Sequence, residues 1–250
     1  NIGDWSSDVC SSDLPGEFSK RAFFNNKIDF EKGVWSKAIT GKDISNDLKQ
    51  EENGIEQQYI EMTDLDHKRQ FNLVFVKESN VIDLQDSFEK DDGVYSYDEI
   101  ISYIKDFSER TKVVYQDFDN QVVRIGRVIE LSLPLEEGRS ACQLLKNNIP
   151  YFSNLDDDLS EVSFRVNKSS NCNKIKVNQV IHYAEGQKMV ISFDPQVGAP
   201  KANVQKRLIL NIDSNTDAAH KSPLNVAELS EFLEESIVSI VKNGGVYASN

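Results

Sequence analysis

The sequence is poor in residues that bind metal ions or form disulfides. It has three cysteines, Cys10, Cys142 and Cys172, and their wide spacing excludes a disulfide framework and a zinc-finger pattern. No apolar run approaches the roughly 20 residues that a membrane-spanning helix needs. Together these absences predict a cytoplasmic protein without a membrane partner.

Positive charge is also in deficit. The chain carries 28 Lys and Arg residues against 41 Asp and Glu residues, which gives a net charge of −13. Because nucleic-acid binding depends on basic side chains that replace counter-ions at the phosphates, a nucleic-acid partner is disfavoured. Another protein, whose identity the sequence does not reveal, is the expected partner.

Sequence motifs of catalysis are missing as well. The sequence has no Gly-x-Ser-x-Gly motif, no paired Cys and His, and no paired-carboxylate motif. A phosphate-binding loop ends in Gly-Lys-Ser/Thr, but Gly41 and Lys42 precede Asp43, and Ser36 stands where the first glycine belongs. An enzymatic activity is therefore unsupported, although catalytic groups can converge in space from distant parts of a sequence.

The histidines and the acidic runs do not form a metal-binding pattern. His67, His182 and His220 fall in different predicted segments, without the spacing of zinc ligands. Asp156–Asp158 and Glu89–Asp92 are acidic, but contiguous side chains diverge, and the alternate spacing of a calcium-binding loop is lacking. We expect both runs to be charged loops and expect no bound metal.

Two arginines are the main candidate site. Arg124 and Arg127 lie in a strand predicted over Val122–Leu133, and Arg127 interrupts its apolar face. An unpaired guanidinium on that face would cost several kcal/mol. We therefore expect Arg127 to meet a carboxylate, such as that of Glu130 or Asp213, or an anionic ligand. A buried ion pair or an edge residue that extends its charge to solvent is the plainer alternative.

Residues 1–14 have the pattern of neither a signal peptide nor a helix. Asp4–Leu14 can be written in codons that resemble a translated adapter from short-read sequencing. We therefore expect residues 1–14 to be an artefactual addition without a domain of their own, and we assign no function to Trp5 or Cys10.

Residues 15–30 read PGEFSKRAFFNNKIDF. This run resembles the PGEF[ST]xRAFLNxK[LI]DL stretch of the MnmE/TrmE tRNA-modification GTPases. The resemblance implies a fragment of the folate-binding part of that family, in which Lys27 stands where a lysine helps to hold formyl-tetrahydrofolate. It covers only these residues, and from Glu31 onward the sequence departs from the family.

Residues 31–250 have an even composition without a linker or a repeat, which predicts a single α+β domain. The helices predicted by periodicity are Trp35–Gln50, Ser96–Arg110 with Ser96 as its N-cap, Arg139–Asn147 and a last helix capped by Asn225. The predicted strands are Ile55–Met62, Phe71–Val76, Val81–Leu84, Val122–Leu133, Val162–Asn167, Lys174–Tyr183, Met189–Asp194 and Arg207–Ile212. Glu185-Gly186 is predicted to be a tight turn. Short connections favour a largely antiparallel sheet with helices packed on one face.

Three short motifs in this region resemble a sporadically distributed family of bacterial proteins of about this length. They are Tyr97-Asp98-Glu99, Val122–Gly126 and Leu208–Asp213, followed by the last helix. The resemblance spans roughly Tyr59–Lys242 and implies no particular activity.

Two functions are compatible with these observations. The first is a non-catalytic bacterial interaction module of the cytoplasm, with an artefactual N-terminus and no cofactor. The alternative is a fragment or relative of the tRNA wobble-uridine modification GTPase without its GTPase domain, which would bind formyl-tetrahydrofolate at Lys27.

Overall fold

A computed structural model describes residues 31–52, 54–64, 69–76, 81–88, 95–118, 121–136, 138–148, 153, 162–193 and 200–243. The predictions for residues 1–30, including Lys27, and for His67, Glu89–Asp92 and Asp156–Asp158 lie outside these residues. The chain divides between Glu89 and Lys90 into two compact units, a division that the even composition of the sequence did not indicate.

The first unit contains a helix and a four-stranded antiparallel sheet. Helix α1 covers residues 31–40. The strands are β1 (Asn46–Glu52), β2 (Ile55–Asp64), β3 (Arg69–Val76) and β4 (Val81–Phe88), and each pairs with the next along the chain. Large apolar side chains from both kinds of element are buried, among them Trp35, Ile39, Ile60, Phe71 and Leu73.

The helix predicted over Trp35–Gln50 is too long. Gly41 adopts a positive φ of 74°, and its N–H donates to the carbonyl of Lys37 at 2.9 Å, which closes the last turn of α1. Glycine is favoured at this position because a left-handed backbone strains residues that carry a β-carbon. The chain then enters β1, whose Asn46 pairs with Glu61 of β2.

The second unit contains three helices and a second antiparallel sheet. Its elements are α2 (Tyr97–Asp117), β5 (Gly126–Pro134), α3 (Ala141–Asn148), β6 (Ser163–Cys172), β7 (Ile175–Phe193), β8 (Pro200–Thr216) and α4 (Val226–Asn243). The strand order is β5-β8-β7-β6. Helix α4 packs on β5 and β8, and α2 packs on α4. The predicted α+β class with antiparallel strands is confirmed, although the strands form two sheets.

Local capping signals located two helices correctly. Ser96 is the N-cap of α2, and its side chain and that of Glu99 form the reciprocal bonds of a capping box. Asn225 Oδ1 accepts a hydrogen bond from the Glu228 N–H at 3.3 Å at the start of α4. Helix α2 continues beyond the predicted end at Arg110, because its buried stripe continues through Thr111 and Val114.

The turn predicted at Glu185-Gly186 is wrong, because β7 runs through both residues. Gly186 pairs with Arg207 in the ladder between β7 and β8. A β-carbon at Gly186 would stand 2.3 Å from Cδ1 of Ile209, so a larger residue here would require the isoleucine side chain to move.

Strands β7 and β8 extend beyond their neighbours in the sheet. The pairing of β6 with β7 ends at Ala184, and the pairing of β5 with β8 ends at Arg207. Residues 187–193 of β7 nevertheless pair with residues 200–206 of β8. We call this two-stranded extension the β7–β8 ribbon; at the usual rise per residue it is about 20 Å long.

Candidate functional site

A row of polar residues crosses the inner face of the second sheet. Arg127 of β5 is paired in register with Ser214 of β8, which is paired with Gln179 of β7. All three side chains are buried. The neighbouring row on the same face is apolar and consists of Ile129, Ile212 and Ile181. The polar row therefore lies within the core, under α4.

Arg127 binds two serine hydroxyls from two different helices. Its Nη1 donates to Ser108 Oγ of α2, and its Nη2 donates to Ser230 Oγ of α4 at 2.7 Å. Ser108 Oγ in turn donates to the carbonyl of Ile104 at 2.9 Å. Arg127 Nε is buried and has no hydrogen-bond partner among the described residues. The guanidinium thus ties β5, α2 and α4 together with part of its hydrogen-bonding capacity unused.

The carboxylates expected beside Arg127 lie elsewhere. Glu130 is exposed, and Asp213 immediately precedes the inward-facing Ser214, so alternation places both acids on the outer face of the sheet. Asp213 accepts a hydrogen bond from Asn215 Nδ2 at 2.9 Å on that face. Among the described residues no ion pair joins an acid to Arg127. The ion pair predicted with Glu130 or Asp213 is not formed; the described partners of the guanidinium are the two serines, and an anionic ligand stays a prediction.

Arg124 has different surroundings from Arg127. Its side chain is exposed, and its positive charge is one of several influences on Asp217. The pKa of Asp217 lies below its usual value, first because the Ala219 N–H donates to the carboxylate and also because Lys176 and Arg124 are near. The sequence groups Arg124 and Arg127 as one candidate site, whereas the fold buries only Arg127.

Gln179 continues the polar cluster toward α4. Its Nε2 donates to Ser214 Oγ at 3.2 Å and to Ser236 Oγ of α4. Helix α4 therefore contributes two serines, Ser230 and Ser236, to the contact with the polar row. Sequence reasoning missed all four of these uncharged residues. One signal could have identified Gln179 and Ser214: each is a polar residue at a position where the alternation of its strand predicts an apolar one.

The cluster is chemically suited to hold an oxyanion. An arginine side chain carries five N–H donors and keeps its positive charge at every physiological pH. Two donors of Arg127 are used by serines, and Nε has no partner. The free N–H groups match the paired oxygens of a carboxylate or a phosphate.

The outer face of the sheet carries a second contact between polar side chains. Ser163 Oγ and His182 Nε2 lie 2.9 Å apart, and Ser163 also lines a surface pocket with Val162, Ala184, Glu185, Gly186 and Gln187. A nucleophilic serine needs a histidine that a third group orients. The histidine's single described hydrogen bond goes to Ser163, so this pair does not form a triad within the described part of the chain.

The remaining candidate groups stay isolated from one another. His220 Nε2 is buried without a partner among the described residues. Cys142 and Cys172 are buried free thiols, and burial, together with the nearby Glu228, raises the pKa of Cys172. The described residues contain no cluster of three or more His, Cys, Asp or Glu side chains that could hold a metal ion. None of the helices in this part of the chain is long and apolar enough to cross a membrane.

No family model, curated protein or solved structure matches this chain.

Proposed function

We propose that this chain is a non-catalytic interaction module that contacts another protein through the β7–β8 ribbon. The observation that carries the proposal is a pair of exposed apolar residues in that ribbon. Met189 and Val204 are paired in register and are 65% and 62% exposed. An isolated two-stranded ribbon is marginally stable in water, and exposed apolar surface is typical of contact sites.

The ribbon also offers backbone hydrogen-bonding groups to a partner. Neither β5 nor β6 extends alongside it: the Leu135 N–H donates to the carbonyl of Lys206 at its base, and within the described chain no further strand pairs with its two edges beyond that point. An unpaired edge is a template for strand addition, in which another chain extends the sheet through main-chain hydrogen bonds.

The partner that we propose is a second copy of this chain. A second copy supplies an equivalent unpaired edge, so two ribbons could join around a twofold axis into a continuous four-stranded sheet. The ribbon contains Lys188, Lys201 and Lys206 and no acidic residue, whereas the whole chain carries a net charge of −13. Two joined ribbons bring lysines of the same sign together, so the pairing that we propose depends on main-chain hydrogen bonds and on the exposed apolar pair rather than on charge.

Sedimentation velocity of the full chain tests this proposal. We expect a dimer at micromolar concentration, and we expect Met189→Lys or Val204→Lys to convert it to a monomer, because lysine on an exposed edge opposes strand pairing. Val128→Lys is the matched control, since Val128 is 63% exposed on the body of the sheet. A monomeric wild type, or an equal effect of the Val128 variant, would refute the dimer through the ribbon.

The alternative function rests on the sequence of residues 15–30 alone and stays a prediction. If the chain retains the folate-binding role that the resemblance implies, calorimetry should detect binding of formyl-tetrahydrofolate, and Lys27→Ala should weaken it. The interaction-module proposal expects neither folate binding nor hydrolysis of GTP. Micromolar folate binding that depends on Lys27 would favour the alternative over the module.

A further inference from the structure

We infer that Arg127, Ser108 and Ser230 form a binding site for a small oxyanion between helices α2 and α4. This site is separate from the β7–β8 ribbon and does not depend on the proposed function. Its ligand belongs to the class of carboxylates and phosphates, whose oxygens accept paired hydrogen bonds from a guanidinium.

The first reason is the charge balance around Arg127. The side chain is only 8% exposed, and no ion pair with a described acid compensates its charge. Arg110, which is more accessible on α2, does have a carboxylate partner: its Nε lies 2.9 Å from Asp106 Oδ2. Burial without a counter-charge is unfavourable, so the more deeply buried arginine has the greater need for an anion.

The second reason is the number of unused donors. Five N–H groups are available on a guanidinium. The two serine oxygens accept one each, and Nε, although buried, has no partner in the described chain. Each terminal nitrogen carries a second N–H beside the one that a serine accepts, so we assign Nε and one of these N–H groups to two oxygens of one anion.

The third reason is the position of the two serines. Ser108 and Ser230 are half-buried rather than fully enclosed, so the site borders on the surface between the helices. Ser108 directs its hydroxyl proton to the carbonyl of Ile104. The only described hydrogen bond of the Ser230 hydroxyl is the one that it accepts from Arg127, so its own proton can be donated to the anion. We therefore assign a direct ligand contact to Ser230 and a positioning role to Ser108.

Titration calorimetry on the full chain tests the site, with sodium phosphate and sodium acetate as separate probes in buffer of constant ionic strength. We expect heat of binding from at least one probe, and the probe that binds assigns the ligand to phosphates, to carboxylates or to both. Arg127→Met should weaken binding by about tenfold or more, because charge-assisted hydrogen bonds are lost. Ser230→Ala should weaken it by a smaller factor.

Arg124→Met is the matched control, since it removes the same charge from an exposed position three residues away. It should bind the anion as the wild type does. Circular dichroism should show that Arg127→Met still folds, because removal of a buried charge that lacks a described acidic partner leaves no orphaned carboxylate.

Ser230→Asp provides an independent measurement. The new carboxylate would lie beside Arg127 and take the place of the ligand, so we expect a higher Tm in anion-free buffer and no further rise with phosphate or acetate. The inference is overturned if neither probe gives heat or raises the Tm of the wild type. It is also overturned if Arg124→Met and Arg127→Met reduce binding equally.

Discussion

Cδ1 of Ile209 occupies the space above Gly186, where a β-carbon would stand only 2.3 Å from it. Gly186→Ala should therefore force the isoleucine into another rotamer, at a cost of about 1 kcal/mol in the free energy of unfolding. Ile209→Val removes Cδ1, so Gly186→Ala should cost less in that background. Urea melts of both single variants and of the double variant measure this coupling. If the losses in free energy of unfolding of the two single variants are strictly additive in the double variant, the contact between residue 186 and Cδ1 of Ile209 is not the reason for glycine at this position.

The capping box of α2 gives a second prediction. Ser96 Oγ accepts from the Glu99 N–H at 3.3 Å, and Glu99 Oε2 accepts from the Ser96 N–H at 2.7 Å. Ser96→Ala should lower the free energy of unfolding by about 1 kcal/mol, because the Glu99 N–H loses its hydrogen-bond acceptor. Ser102→Ala, at an exposed position inside the same helix, should be neutral or slightly stabilising, since alanine has the higher helix propensity. Equal losses in the two variants would contradict this role of the cap.

These helices could be predicted from the sequence because their signals are local. The apolar stripe and the capping residues of α2 and α4 lie within a few residues of one another along the chain. The sequence predicts two strands in place of β7 because Glu-Gly is typical of a turn, whereas in the fold Gly186 lies inside β7 and faces Ile209 of β8. A contact between residues of two different strands cannot be predicted from the sequence around either residue.

The candidate site was predictable only in part, for the same physical reason. Arg127 could be identified because a charged residue interrupts an apolar alternation. Its partners could not be identified, because Ser108 and Ser230 lie 19 and 103 residues away along the chain and serine is common on helix surfaces. The predicted acids were close in sequence or in register, but alternation along the strands places them on the opposite face.

Asp47 gives a prediction about pH. Burial opposes ionisation of its carboxyl, but hydrogen bonds from Lys32 and Gln58 outweigh burial, and the pKa of Asp47 is lowered. The lengths of these bonds are 2.5 Å and 2.8 Å. A carboxyl whose pKa is lower in the folded state than in the unfolded state stabilises the fold. The stabilisation is fully present at pH values above the unfolded pKa of about 3.9, and it is lost as the pH falls through the pKa of the folded state.

The corresponding experiment compares wild type with Asp47→Asn in denaturant melts between pH 7 and pH 2. The variant should be less stable at neutral pH, and the difference should shrink as the pH falls below about 4. Asp43→Asn is the control, because Asp43 is 83% exposed in its ion pair with Lys37 and such pairs contribute little. A difference between wild type and Asp47→Asn that does not vary with pH would contradict the lowered pKa.

The last prediction concerns the packing of α4 in the second unit. Leu233 is fully buried, in a cluster that includes Val177, Leu224 and Leu229. Leu233→Ala should leave a cavity and cost about 2 to 5 kcal/mol, a large part of the roughly 5 to 15 kcal/mol that stabilises a typical domain. Glu235→Ala, at an exposed position of the same helix, should cost less than about 0.5 kcal/mol. Helix α4 also supplies Ser230 to Arg127. If the two variants lose the same small amount of stability in denaturant melts, α4 is too loosely packed to position that serine. This result would contradict both the packing of α4 and the oxyanion site.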